Sequence, residues 1–104
     1  MTTNEIFKAL ADPTRRAVFE RLADGEKNAT ELRDGLAISQ PAMSQHLSVL
    51  RGAGLVAEER RGRNVQYRID PSGMAAMFRW LRRYEAFWPR RIEALKQLLK
   101  DMDQ

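Results

Sequence analysis

At 104 residues, 43% of them apolar, the chain fits one domain (residues 1–104) built around a single core. The absence of cysteine excludes disulfides, thiolate metal sites and cysteine nucleophiles, and one histidine is too few for an ordinary zinc site. A net charge of +4 favours polyanionic partners, no apolar run is long enough to span a bilayer, and the opening Met1-Thr2-Thr3-Asn4-Glu5 lacks the layout of an export signal, so a cytoplasmic protein without membrane insertion is expected.

Thr3 to Ala11 carries Ile6, Phe7 and Leu10 at helical spacing. Asp12-Pro13 then restarts the chain, with a carboxylate to cap orphan amides and a proline suited to the first helical position. Val18, Phe19 and Leu22 form the buried side of this second helix, and Gly25 is placed to end it. Asn28 with Glu31 three residues on resembles a capping box and opens a short third helix with Leu32 and Leu36 inward. After the turn Ala37-Ile38-Ser39, Ser39 opens a fourth helix to about Arg51, closed by Gly52 and Gly54. Leu55 to Arg60 and Val65 to Ile69 read as two strands joined at Arg61-Gly62-Arg63-Asn64, since Val65, Tyr67 and Ile69 alternate with polar residues. Asp70-Pro71 repeats the cap-plus-proline start, and a long helix is expected to about Lys100, kinked or broken at Pro89. The fold class is mainly α with a small β-hairpin: a winged helix-turn-helix with added terminal helices.

On the fourth helix, Met43, Leu47 and Leu50 share one face and anchor it. Pro41, Ser44, Gln45 and Ser48 lie roughly opposite, small or amide-bearing and never acidic, so the helix can enter a major groove without charge conflict. Gln45 can pair with adenine, Ser44 can reach a base or a phosphate, and the free amides near Ser39 and Gln40 suit a phosphate. His46 falls at the edge of the core face, where packing and contact with a phosphate or base both remain open. The fourth helix has no Lys or Arg before Arg51, while the hairpin carries Arg60, Arg61, Arg63 and Arg68, so the helix is expected to supply sequence preference and the hairpin much of the electrostatic affinity. Glu58 and Glu59 could neutralise part of that cluster.

Met74, Met77, Phe78, Trp80, Leu81, Tyr84, Phe87 and Trp88 fill about half of the last helix's circumference, and Ile92, Leu95, Leu98, Leu99 and Met102 extend the stripe. So wide an apolar arc needs more than one covering surface. A homodimer is expected, joined through helices 3–11 and 71–100 by Ile6, Phe7, Leu10, Trp88, Ile92, Leu95 and Leu99. Two reading helices roughly 34 Å apart would then meet a palindromic site.

The runs Ala9-Leu10-Ala11-Asp12-Pro13-Thr14-Arg15-Arg16 and Ile38-Ser39-Gln40-Pro41-Ala42-Met43-Ser44-Gln45-His46-Leu47, with Leu50, Ala53-Gly54-Leu55-Val56, Gly62-Arg63 and Tyr67-Arg68, resemble the ArsR-type winged-helix repressors. Trp80-Leu81, Tyr84, Phe87-Trp88 and Leu95 resemble its SdpR-like autorepressor branch. The resemblance implies a dimeric repressor that docks its fourth helix in the major groove, with Ser39, Gln40, Ser44, Gln45 and His46 facing DNA. Gln45 stands where other members carry a basic residue. The cysteines with which some members sense metals are replaced here by Asn28 and Thr30, and the last helix lacks the histidines used by others, so neither metal-site type, and no cofactor, is expected. The resemblance to that branch implies control through a regulatory protein partner or by simple autorepression, with autorepression the default expectation.

The expected function is therefore a sequence-specific DNA-binding transcriptional regulator. The alternative is a winged-helix protein-interaction module that does not bind DNA; the non-acidic reading face and the basic hairpin favour DNA. An enzyme is not expected, because the sequence offers no thiol, no glycine-rich phosphate loop and no acid–base pair with an orienting partner.

Overall fold

The computed structural model describes residues 2–87 and 89–102, and the side chains of residues 93–102 but not of 89–92. Helix α1 (Thr3–Ala11) starts in a complete capping box: Oγ1 of Thr2 accepts from the Glu5 backbone N–H, and the Glu5 carboxylate accepts from the Thr2 N–H. Asp12 both ends α1 and caps α2 (Pro13–Arg21), with Pro13 at the first helical position. A single 3-10 turn at Leu22–Asp24 follows.

Helix α3 (Ala29–Arg33) carries the second capping box, with Asn28 and Glu31 satisfying each other's backbone N–H groups at 2.8 and 3.0 Å. It is shorter than expected, so Leu36 lies beyond it, in the turn, packed against the core. Two arginines hold that turn. Nη1 of Arg21 donates to the carbonyls of Leu32 and Asp34, and Nε of Arg33 donates to that of Ile38 at 3.3 Å. Helix α4 (Gln40–Gly52) is capped by Ser39, whose Oγ accepts from the Ala42 N–H.

Strands β1 (Val56–Arg61) and β2 (Asn64–Ile69) pair antiparallel, Val56 opposite Ile69 and Arg61 opposite Asn64. At the tip, Gly62 has φ +63°, a region where a side chain is strained. Lys27 adds a short third edge, exchanging backbone hydrogen bonds with Tyr67 at 3.0 and 2.8 Å.

The core takes Ile6 and Ala9 from α1, Val18 from α2, Leu32 from α3, Met43, Leu47 and Leu50 from α4, and Leu55 and Val56 from the start of the hairpin. Each fully buried aliphatic side chain contributes about 1.5–3 kcal/mol relative to exposure. Ile6 belongs to this core and is 0% exposed, so its place in a dimer interface is corrected: it faces the protomer's own interior.

Of the kink or break expected at Pro89, the structure has a break, and it is wider than expected. Helix α5 (Pro71–Arg82) ends well before the proline, a 3-10 turn occupies Glu85–Phe87, and Pro89 opens a separate helix α6 (Pro89–Met102). A proline disfavours helical backbone in the residue before it yet suits a first helical position, so it starts α6 rather than bending α5. Arg79 and Arg82 in the last turn of α5 complement the negative end of its dipole. Helix α5 seats on backbone: the Gly73 N–H donates to the Gly54 carbonyl at 2.9 Å.

Candidate nucleic-acid interface

Helix α4 divides cleanly. Met43, Leu47 and Leu50 are buried, while Ser39 at its cap and Gln40, Ser44, Gln45 and Ser48 are exposed. The short α3, the pinned turn and α4 form the helix-turn-helix, and the hairpin follows as the wing.

His46 does not share the outward face. Its side chain is 18% exposed, and Nδ1 is turned inward, 3.9 Å from Oδ2 of Asp12. That nitrogen is buried without a hydrogen bond. The sequence left packing and DNA contact open for His46; the geometry shows it packed against the cap of α2.

The basic residues fall into two sets. Arg51, at the end of α4, is ion-paired with Glu58 of β1 and so ties that helix to the wing. Arg61 is gripped by Glu26 at 2.6 Å and Glu59 at 3.0 Å, and these bonds, that to Glu59 foremost, push its guanidinium pKa up. Arg68 also faces Glu59, at 3.5 Å. Arg60 and Arg63 form no ion pair among the described residues.

Sequence reasoning left three contributors unremarked. Arg21 and Arg33 set the turn between α3 and α4; a signal was available in basic residues placed to reach carbonyls at the end of a short helix. Glu26 lies 35 residues from Arg61, and no local pattern reports so distant a pairing.

At the other end of the protomer, Phe7 meets Trp80 edge-on at 4.9 Å, Trp80 packs on Tyr84 at 4.8 Å, and Phe87 continues the row at 6.4 Å. Leu10 packs partly against the core. Leu95 and Leu99 on α6 remain 55% and 53% exposed, and Phe87 78%. Trp88 and the Ile92 side chain lie outside the described residues. Among the described residues, no group of three or more His, Cys, Asp or Glu side chains is placed to hold a metal ion, and no helix is long and apolar enough to cross a membrane.

A helix-turn-helix whose outer face is amide- and hydroxyl-bearing, followed by a basic two-stranded wing, defines a winged-helix DNA-binding regulator of transcription. Residues 10–59 match the family described as a helix-turn-helix domain. The HTH-type transcriptional regulator Rv2034 of Mycobacterium tuberculosis is 45% identical over 93 residues, covering 89% of this chain and 84% of that one. The transcriptional repressor SdpR of Bacillus subtilis is 31% identical over 78 residues, covering 75% of this chain and 87% of its own. The crystal structure of an ArsR family transcriptional regulator superposes with a TM-score of 0.75 at 34% identity, over 82% of this chain and 93% of that one. The chain belongs to the ArsR family of winged helix-turn-helix transcriptional regulators, a family of regulators and not of enzymes.

Proposed function

We propose that the protein is a homodimeric repressor that reads a palindromic operator without a metal cofactor. The observation that carries this is the outward face of α4, where Ser44, Gln45 and Ser48 stand exposed beside a wing whose Arg60 and Arg63 form no ion pair among the described residues. Gln45 reads a base edge, the helix start at Ser39 and Gln40 takes a phosphate, and the wing arginines supply affinity without sequence information. Repression accords with relatives such as SdpR. The half-exposed Leu95, Leu98 and Leu99 support a second copy packed along α6, with Phe7 and Leu10 of α1 beside it. Metal-independent action accords with a chain that has no cysteine and whose single histidine is turned to Asp12. Its place of action is the cytoplasm, and its own upstream region is the first operator to test.

Selection of bound fragments from genomic DNA, followed by titration of the enriched sequence at several salt concentrations, tests this reading. The expected result is one enriched inverted repeat bound by a dimer with strong salt dependence. Absence of salt-sensitive binding across the library would leave only a protein-interaction role.

A further inference from the structure

Four side chains in and beside the wing form a network of ion pairs that takes up two of the arginines expected to meet DNA. Nη1 of Arg61 donates to Oε1 of Glu26 at 2.6 Å, and Nη2 donates to Oε2 of Glu59 at 3.0 Å. Nη1 of Arg68 lies 3.5 Å from the same Glu59 oxygen. The strand register puts Glu59, Arg61 and Arg68 on one face of the hairpin, because Glu59 and Arg61 alternate along β1 and Arg68 sits opposite Ala57. Glu26 arrives from the connection between α2 and α3, and backbone fixes it there: its neighbour Lys27 is hydrogen-bonded to Tyr67 of β2 on both sides.

Magnitudes decide what this network is for. The side chains are between 36% and 53% exposed, and ion pairs so open to water add little to folding stability. Their two carboxylates stand where a polyanion would approach Arg61 and Arg68. Two of the wing's four arginines already have carboxylate partners, so a phosphate approaching either cation competes with a carboxylate and is repelled by it.

We propose that Glu26 and Glu59 form an acidic clamp that withholds Arg61 and Arg68 from the DNA backbone and thereby sets the protein's affinity for non-cognate DNA. The proposal rests on the DNA-binding reading and adds its regulation. Phosphate contacts carry no sequence information, so each one withheld lowers binding to every duplex alike. Base reading by α4 then decides where the protein resides. Arg60 and Arg63 remain as the ungated phosphate contacts.

The test uses the full chain and a labelled random-sequence duplex, with fluorescence anisotropy across a salt series. The double variant Glu26→Gln/Glu59→Gln is expected to bind about tenfold tighter at low salt. Its plot of log affinity against log salt should steepen by about 0.9 for each further phosphate neutralised. Glu26→Gln alone, which leaves the Glu59 pairing in place, should show a smaller tightening of the same sign. Adding Arg61→Gln to the double variant should remove most of the effect. Unchanged or weaker binding with an unchanged salt slope, in variants that melt like the parent chain, overturns the clamp. A parent chain that binds no duplex in a salt-dependent way overturns the DNA reading itself, and that result is read before any variant is made.

Discussion

The carboxylate of Asp12 links the start of α2 to the reading helix: Oδ1 accepts from the backbone N–H groups of Thr14 and Arg15 at 2.9 and 3.4 Å, while Oδ2 lies 3.9 Å from Nδ1 of His46. Desolvation pushes this carboxyl up, but the two backbone bonds and the charges of His46 and Arg15 together hold it below its ordinary value of 3.8. A group depressed in the folded state contributes stability that is complete above its ordinary pKa and disappears as pH falls through the folded-state pKa. Asp70 behaves alike, lowered mainly by the Ser72 backbone N–H and hydroxyl. Asp12→Asn keeps a good cap without the titrating charge. Its denaturant midpoint should fall less steeply than the parent's as the medium is acidified below 3.8; parallel acid limbs would rule out this role.

Gln45→Ala and Arg63→Ala should fail differently. Loss of a bidentate base contact costs about 1–3 kcal/mol of discrimination, so the Gln45 variant should relax sequence choice at one base pair of each half-site. The Arg63 variant should weaken operator and random DNA alike and lower the salt slope by about one. Binding isotherms on both duplexes at two salt concentrations separate the two; identical profiles would contradict the division between helix and wing.

Gly73→Ala sets helix propensity against packing. Alanine is worth about 0.8–1.0 kcal/mol more than glycine in a helix interior, an upper bound for Gly73 in the first turn of α5. Its Cβ, however, would stand 2.4 Å from the Gly54 carbonyl oxygen and 2.8 Å from its carbon, and backbone cannot swing aside as a side chain does. Overpacking of this kind costs about 1–3 kcal/mol, so the variant should be less stable on balance. Urea denaturation gives the sign directly, and a rise in stability would refute the close seating of α5.

Leu95→Asp should weaken self-association while leaving the protomer folded, because a side chain already 55% exposed contributes little to the internal core. Sedimentation should show the parent chain as a dimer and the variant shifted toward monomer. A variant dimer as tight as the parent's would remove α6 from the interface.

The helix starts were legible because capping is local chemistry. Asp12-Pro13, Asn28 with Glu31, Ser39 and Asp70-Pro71 each mark a boundary within a few residues of themselves, and the structure has a helix start at every one. The inward and outward faces of α4 were legible from period alone, except at His46, whose edge position left two directions open until Asp12 was placed beside it. Period could not tell which apolar residues of α1 turn inward. Ile6 and Phe7 are neighbours in sequence, yet one is sealed in the core and the other lies against Trp80 at the surface. The hairpin's net charge was countable in advance, and Glu58 and Glu59 hinted at partial neutralisation. The gripping of Arg61 by Glu26 depends on how the α2–α3 connection folds back, which is tertiary information.

The bridge between Lys27 and Tyr67 has a mechanical consequence. Asn28, the next residue, caps α3, so the edge of the wing and the first turn of the helix-turn-helix are separated by a single peptide unit. Tilting the wing toward a groove drags that turn along with it. The edge of the wing and the start of α3 are thus coupled, so a change in the one is passed to the other.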